Sequence, residues 1–511
     1  MDRRHLLKVG GAFGALGVGA PFALQLAAAG SAAGQSAPDY KALVCVFLFG
    51  GNDSHNTVLA TDDDSWGRYF ATRNTGVDPI ALMPVGTAPT PVGQTSSVTG
   101  RVAEADSPEA WGGVLPISPR TPQPIPAGTN ASTRTFGLHP FMGPMQTLFN
   151  QNRLAILANV GTLIQPTTKQ QYQTRSAALP ASLFSHNDQQ STWQALSTEG
   201  ARTGWGGRFA DLMASMNGSN TLFTAVSASG NAVFLSGQSV VQYQLSTGAQ
   251  PAVVINGAQG TSLFGSTAAP SRVRDLISDT NVAGNFAADY ASVVGRSLNA
   301  ATTVNSAFTQ SVVTSVATAP AYTNQILNRV ETNTLALQLQ TVARMIAASS
   351  VLGVRRQVFF VSLGGWDTHD FQNTAQPNLL AKVAHALSYF DSALSNIGGV
   401  DRRSQVTTFT ASDFSRTFAT NGDGTDHAWG GHHFILGGAV NGGNIYGQYP
   451  TLGLDVNGFN NPDNVTGYLI PTTSVDQYGA TLGRWFGVSD ADIDVIFPRV
   501  RNFQTKYLGF V

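Results

Sequence analysis

Apolar residues along this chain gather in short runs that stop at glycine, serine or aspartate. Lys41 to Phe49 is nearly continuous in apolar residues and stops at Gly50-Gly51-Asn52-Asp53. The pattern returns at Leu154 to Val160, ending at Gly161, and at Gln357 to Leu363, ending at Gly364-Gly365-Trp366-Asp367. Val406 to Thr410 leads into Ser412-Asp413, and His433 to Leu436 into Gly437-Gly438. Runs without polar alternation are what strands buried on both faces of a parallel sheet require. Helix-period segments lie between and after them: Phe141 to Gln151, Ser191 to Leu196, Ile326 to Ser349, Pro377 to Asn396 and Val475 to Phe486. The last opens with Ser474 and Gln477 at capping-box spacing. Strands alternating with helices predict an α/β fold with a parallel sheet, whose ligands bind beyond the carboxyl ends of the strands. Several aspartates fall at those ends.

Two regions break the rhythm. Residues 83–135 are rich in Pro, Gly, Thr and Ser without periodicity and read as a surface excursion. Residues 218–325 carry short strand-like pieces (Ala225 to Ser227, Ala232 to Leu235, Val253 to Ile255) and then Ala/Ser/Thr-rich helices. They read as a cap or insertion on the ligand edge of the sheet. At the N-terminus, Asp2-Arg3-Arg4-His5-Leu6-Leu7-Lys8 resembles a twin-arginine export signal. A Gly/Ala-rich, weakly apolar stretch follows from Val9 to Ala29, with Ala27-Ala28-Ala29 as a small-residue cleavage site. Residues 1–34 are therefore expected to be a signal peptide read by the twin-arginine export machinery, and 35–511 one α/β domain in the periplasm or outside the cell. Glycines and Pro21 make Val9 to Ala29 a poor spanning helix, and no later segment offers about 20 uninterrupted apolar residues. No stable membrane span is expected after processing.

Composition narrows the function. In 511 residues, charged residues are 12%, about half the usual ~25%. Lys+Arg 29 against Asp+Glu 30 leaves a net charge of −1 with no basic block. Nucleic-acid binding depends on clustered Lys and Arg, so that class is set aside. The one cysteine, Cys45, sits in an apolar run, which excludes an intramolecular disulfide or a Cys-rich zinc site and points to burial.

The chemistry lies with the histidines. Of nine, His5 belongs to the signal and His385 to a helix; the other seven sit in or beside loops rich in Gly, Asp or Ser. These loops are Asp53-Ser54-His55, Leu138-His139-Pro140, Ser185-His186-Asn187-Asp188, Asp367-Thr368-His369, Ser412-Asp413, and Asp426-His427 with His432-His433. Aspartate and neutral imidazole together bind divalent cations, zinc included, in sites that lack cysteine.

FGGNDSHN, GLHP, SHNDQQ, GWGGRFAD, GGWDTH, SDFSRT, GTDHAWGGHH and DQYGATLGRWFG together give the chain, over about residues 40–510, a resemblance to exported bacterial proteins of the domain-of-unknown-function family 1501, within the alkaline phosphatase-like superfamily. The resemblance implies a three-layer sandwich around a mostly parallel sheet, with a cap. It also implies a two-metal site. Asp53 resembles the first-strand ligand and Ser185 the nucleophile at a helix N-terminus. Asp367 and His369 resemble one ligand group, Asp413 the ligand after the next strand, and His427 with His432 or His433 the late histidines. The strand-end Asp-His pair of that superfamily is here Asp413-Phe414, and Asp367-x-His369 is tighter than the usual spacing. A one-metal variant, a two-metal variant with relocated ligands and a degenerate binder all stay open.

Arg416 is a candidate anion clamp or an ordinary salt bridge. Gly204-Trp205-Gly206-Gly207-Arg208 reads as a packing turn, His139 as an orienter of a carboxylate, and Asp62-Asp63-Asp64 as a solvated acidic loop. The expected function is a metal-dependent hydrolase of phosphate or sulfate esters, small-molecule or saccharide, with Zn²⁺ favoured and Mn²⁺, Mg²⁺ or Ca²⁺ as alternatives. A non-catalytic secreted binder of metal, carbohydrate or cell envelope is the rival, and lyase or transferase chemistry on a saccharide a third reading.

Overall fold

The computed structural model describes residues 40–126, 129–218, 220–255, 257–455 and 459–511. The expected signal peptide at 1–34 lies outside them. Nine strands form the central sheet: β1 (Lys41–Leu48), β2 (Leu154–Gly161), β3 (Ala225–Ser227), β4 (Tyr243–Gln244), β5 (Arg356–Leu363), β6 (Val406–Ser412), β7 (Gly431–Leu436), β8 (Asn444–Tyr446) and β9 (Thr473–Ser474). Their order is β8-β2-β7-β6-β1-β5-β3-β4, with β9 also pairing β2. Every pairing is parallel except those of β7, which runs antiparallel to both β6 and β2.

Alternation along β1 shows why its sequence is apolar throughout. Ala42, Val44, Val46 and Leu48 enter one hydrophobic core; Leu43, Cys45 and Phe47 enter another on the opposite face. Helices cover both faces, as buried parallel strands demand. The first core takes α2 (Gly143–Asn150), α6 (Thr334–Ala347) and α7 (Gln372–Leu394). The second takes α4 (Trp205–Met213) and α8 (Val475–Phe486), the latter opened by the Ser474–Gln477 capping box. Two further helices matter below, α1 (Asp63–Arg73) and α3 (His186–Ala195), along with the long α5 (Asn285–Phe308).

Several local expectations change. Ala225–Ser227 pairs in register with Val358–Phe360, so the start of the 218–325 stretch extends the sheet itself. Val253 to Ile255 forms no strand. The excursion at 83–135 contributes Leu115–Ile117 to a small antiparallel sheet with Phe136–Leu138 and Val58–Ala60. The Ile326 to Ser349 helix starts only at Thr334, because the Asn333 side chain caps it, and the preceding residues form a Tyr322–Asn324/Arg329–Glu331 hairpin. Asp62 is no solvated loop residue: it caps α1 by accepting from the Ser65 amide, and Asp63 and Asp64 complement the helix dipole in the first turn. Because β7 is antiparallel, Gly437-Gly438 lies at the amino edge of the parallel strands. The segment before β7, carrying Asp426 and His427, is what reaches the carboxyl edge.

Candidate functional site

Three loops and the start of helix α3 meet at the carboxyl edge of the sheet. The turn after β1 is shaped by Gly50 and Gly51, at φ +118° and +88°. A Cβ on Gly50 would lie 2.5 Å from the Asp367 amide nitrogen, so glycine lets the β1 and β5 loops touch. The β5 loop then presents Asp367 and His369, β6 ends on Asp413, and the run into β7 presents Asp426 and His427. An isolated bridge from Arg416 to His427 clasps the outgoing and returning arms of that last loop. Helix α3 is fastened over them. Thr162 at the end of β2 donates to Gln189 at 2.8 Å, and Gln190 donates to Asp413 Oδ2 at 2.9 Å.

The cluster is tight. His369 Nε2 and His427 Nε2 are 3.0 Å apart, and Asp367 Oδ1 lies 3.1 and 3.2 Å from them. His186, the first residue of α3, brings its Nε2 to 3.3 Å from Asp367 Oδ2. Ligand atoms of His186, Asp367 and His427 lie within 4.8 Å of one another. A tetrahedral zinc with bonds of about 2.0–2.1 Å sets its ligands about 3.3 Å apart, close to these spacings.

The outward nitrogens explain how the rings are held. His186 Nδ1 is 2.7 Å from Asp413 Oδ2, His369 Nδ1 3.2 Å from Asp426 Oδ1, and His427 Nδ1 2.7 Å from the Phe184 carbonyl. Each neighbour is an oxygen acceptor, so each Nδ1 can donate outward, and each Nε2 faces the Asp367 carboxylate, those of His369 and His427 at Oδ1 and that of His186 at Oδ2. Metal-binding histidines are oriented this way. Nε2 of His369 and His427 stand 3.0 Å apart, a separation that either a shared proton or a cation bound to both satisfies. Burial, first, and the nearby Arg416 guanidinium push the His427 imidazole below its usual range, while the Asp413 hydrogen bond raises that of His186. Phe414 fills the place between the rings, 4.8 Å from His186 and 4.4 Å from His427. Side chains of Asp367 and His369 are 42% and 40% exposed, so the centre is open to solvent.

The remaining sequence candidates are placed differently. Arg416 is fully buried; it donates to Asp367 Oδ1, to the Thr425 carbonyl and to Gly50 O. It therefore orients Asp367 and keeps it ionised rather than clamping a substrate. Asp53 is also buried, and both its oxygens are taken. Arg73 donates to Oδ2 at 2.5 Å and to Oδ1 at 3.0 Å, Gln372 to Oδ2 at 2.6 Å, and the His55 amide to Oδ1 at 3.0 Å. His432 is buried against Tyr449 and accepts from the Asn159 amide at 3.0 Å. Neither Asp53 nor His432 joins the cluster. Asp413 stands one bond outside it, behind His186, with the Gly50 amide 3.1 Å from its Oδ2. Ser185 occupies the N-cap of α3, directly before His186.

His139 accepts from the Phe141 amide at 3.2 Å and so caps the Pro140–Met142 turn instead of orienting a carboxylate. Gly204 is a packing turn as expected, with the Val233 carbonyl 2.2 Å from any Cβ there. His186 is the site residue that sequence reasoning passed over. Its signal was its place: the residue after Ser185, with Gln190 one turn on along the same helix face.

Fold and site define an α/β protein with a largely parallel sheet and a His/Asp cluster at its carboxyl edge. The chain belongs to the family described as protein of unknown function (DUF1501), whose profile matches residues 40–497. No curated protein matches the chain.

Proposed function

We propose that the protein is an exported, metal-dependent hydrolase of phosphate or sulfate esters, built on the alkaline phosphatase-like plan. The observation that carries this reading is that three imidazole Nε2 atoms lie within 3.3 Å of the Asp367 carboxylate, each imidazole anchored through Nδ1. The donor set suits Zn²⁺ first and Mn²⁺ next; Mg²⁺ and Ca²⁺ prefer all-oxygen sites. Held by Asp367, His369, His427 and His186, such an ion would polarise an ester oxygen and acidify a hydroxyl. Ser185 is the nucleophile of this reading: its oxygen bonds to phosphorus or sulfur, the ester oxygen leaves, and water then releases the acid. The free amides at the start of α3 favour the anionic group under attack. Asp413, Asp426 and the Phe184 carbonyl hold the three rings, and Arg416 keeps Asp367 charged.

Metal analysis of the purified protein, with a panel of aryl phosphates, phosphodiesters and sulfates, tests the proposal. Ser185→Ala should lower turnover at least about 100-fold with bound metal retained. A metal-loaded protein inert on every ester rejects the reading.

One observation favours the rival, a secreted binder without catalysis. The Glu199 amide, and then the Ser182 and Ser185 hydroxyls, hold the Asp188 carboxyl below its usual range, which engages the Ser185 hydroxyl with a residue outside the cluster. In that case Ser185→Ala leaves both metal content and biological function unchanged.

A further inference from the structure

We infer that the centre holds a single divalent cation, bound by Nε2 of His186, His369 and His427 and by Asp367, and that the Arg73 guanidinium takes the place of a second cation at Asp53. This rests on the metal-dependent reading above and gives it a stoichiometry and a ligand set.

Charge counting supports it. Counted with neutral imidazoles, the groups touching the cluster are three carboxylates (Asp367, Asp413 and Asp426) and one guanidinium (Arg416). Two negative charges remain, which one divalent ion neutralises. Around Asp53 the count is already zero. Arg73 is buried beside it, and all five of its N–H donors are used: two on Asp53, the others on Asn56 Oδ1 at 2.7 Å, Thr417 O at 2.7 Å and Phe418 O at 3.0 Å. A fork so fully satisfied is a fixed positive charge rather than a mobile counter-ion.

The imidazoles near Asp53 do not alter this. His55 is buried with neither ring nitrogen partnered, and His432 Nε2 is likewise unpartnered. A buried ion there would need a free anionic ligand, and Asp53 has none to give. Burial, and then the Arg73 charge, push the His55 imidazole well below its usual range, so a further cation beside it meets the same repulsion. At the open centre, by contrast, three imidazole Nε2 atoms face the exposed Asp367 carboxylate.

The test is a count. The purified chain is stripped with chelator, titrated with Zn²⁺, Mn²⁺ and Co²⁺, and the retained ion is measured by mass spectrometry alongside the Co²⁺ visible spectrum. About one equivalent is expected. His186→Ala should weaken binding by at least about 10–100-fold and shift the Co²⁺ bands, whereas His432→Gln should keep its one equivalent. Two equivalents on the wild-type chain, or none, overturn the proposal without reference to any variant's folding. Unchanged affinity in a folded His186→Ala protein overturns the ligand set. One equivalent with no ester hydrolysis upholds the count and removes the hydrolase reading alone.

Discussion

Replacing Asp53 by asparagine separates two roles for a strand-end aspartate. As a metal ligand, its loss would remove the ion and leave the fold nearly untouched. As the partner of Arg73, its loss strands a buried guanidinium. Asparagine keeps the volume and one carbonyl oxygen, so the His55 amide can still be accepted, but one of the two bonds at 2.5 and 3.0 Å becomes a donor facing a donor. Breaking one side of a buried ion pair costs about 3–5 kcal/mol. Unfolding entropy of about 2.1 cal/mol/K per residue gives a chain of this size about 1 °C of Tm per kcal/mol. Asp53→Asn should therefore melt about 3–5 °C below wild type by calorimetry while retaining its metal. Arg73→Met should cost at least as much, and the double variant less than the sum of the two. An Asp53→Asn protein that melts with wild type but loses its ion refutes the pairing role.

Three further outcomes follow from the same geometry. Asp426→Asn removes the charge behind His369 Nδ1 at 3.2 Å, and should weaken metal affinity about 10–100-fold by competition titration. Gly50→Ala combines a left-handed backbone with a Cβ 2.5 Å from the Asp367 amide, so it should displace that loop and cost both stability and bound metal in parallel assays. Asp476, buried in the first turn of α8, has its carboxyl pushed up to about 6 by burial. The folded chain keeps this proton after the unfolded chain has released it near pH 4. Stability from this group therefore falls as pH rises from about 4 to 6 and stays lower above. Asp476→Asn should gain roughly 2–4 kcal/mol on wild type across that window in denaturant titrations, and a flat difference contradicts the assignment.

What the chain revealed before folding depended on how local each signal is. The runs at 41–48, 154–161, 356–363 and 406–412 were legible because strands buried on both faces must be apolar at every position. Asp367, His369 and His427 were legible because they sit in short polar loops that such strands end or begin with. Strand direction carries no local mark, so β7 was assigned the wrong edge and Gly437-Gly438 the wrong loop. Ala225–Ser227 is three residues long and indistinguishable from a loop until its pairing with β5 is known. The Asp53 pairing was hidden for the same reason: its partner Arg73 lies at the far end of α1, and nothing at Asp53 itself announces a guanidinium. His186 carries no mark of its own for a different reason: an imidazole directly after a helix N-cap serine reads locally as an ordinary first-turn residue.

The reversal of one strand ties these observations together. Parallel neighbours need a crossover, usually a helix, to return to the starting edge. The segment between Ser412 and Gly431 holds Gly422, Gly424 and Gly430 with Asn421 and several aspartates, and forms no helix. It turns back directly, so all of it stays at the carboxyl edge. That placement sets Arg416 against Asp367, Asp426 behind His369 and His427 over Phe414, next to the ring of His186. Phe414 then makes physical sense where a strand-end histidine was anticipated. A flat apolar ring supports two imidazoles, those of His186 and His427, arriving from separate elements.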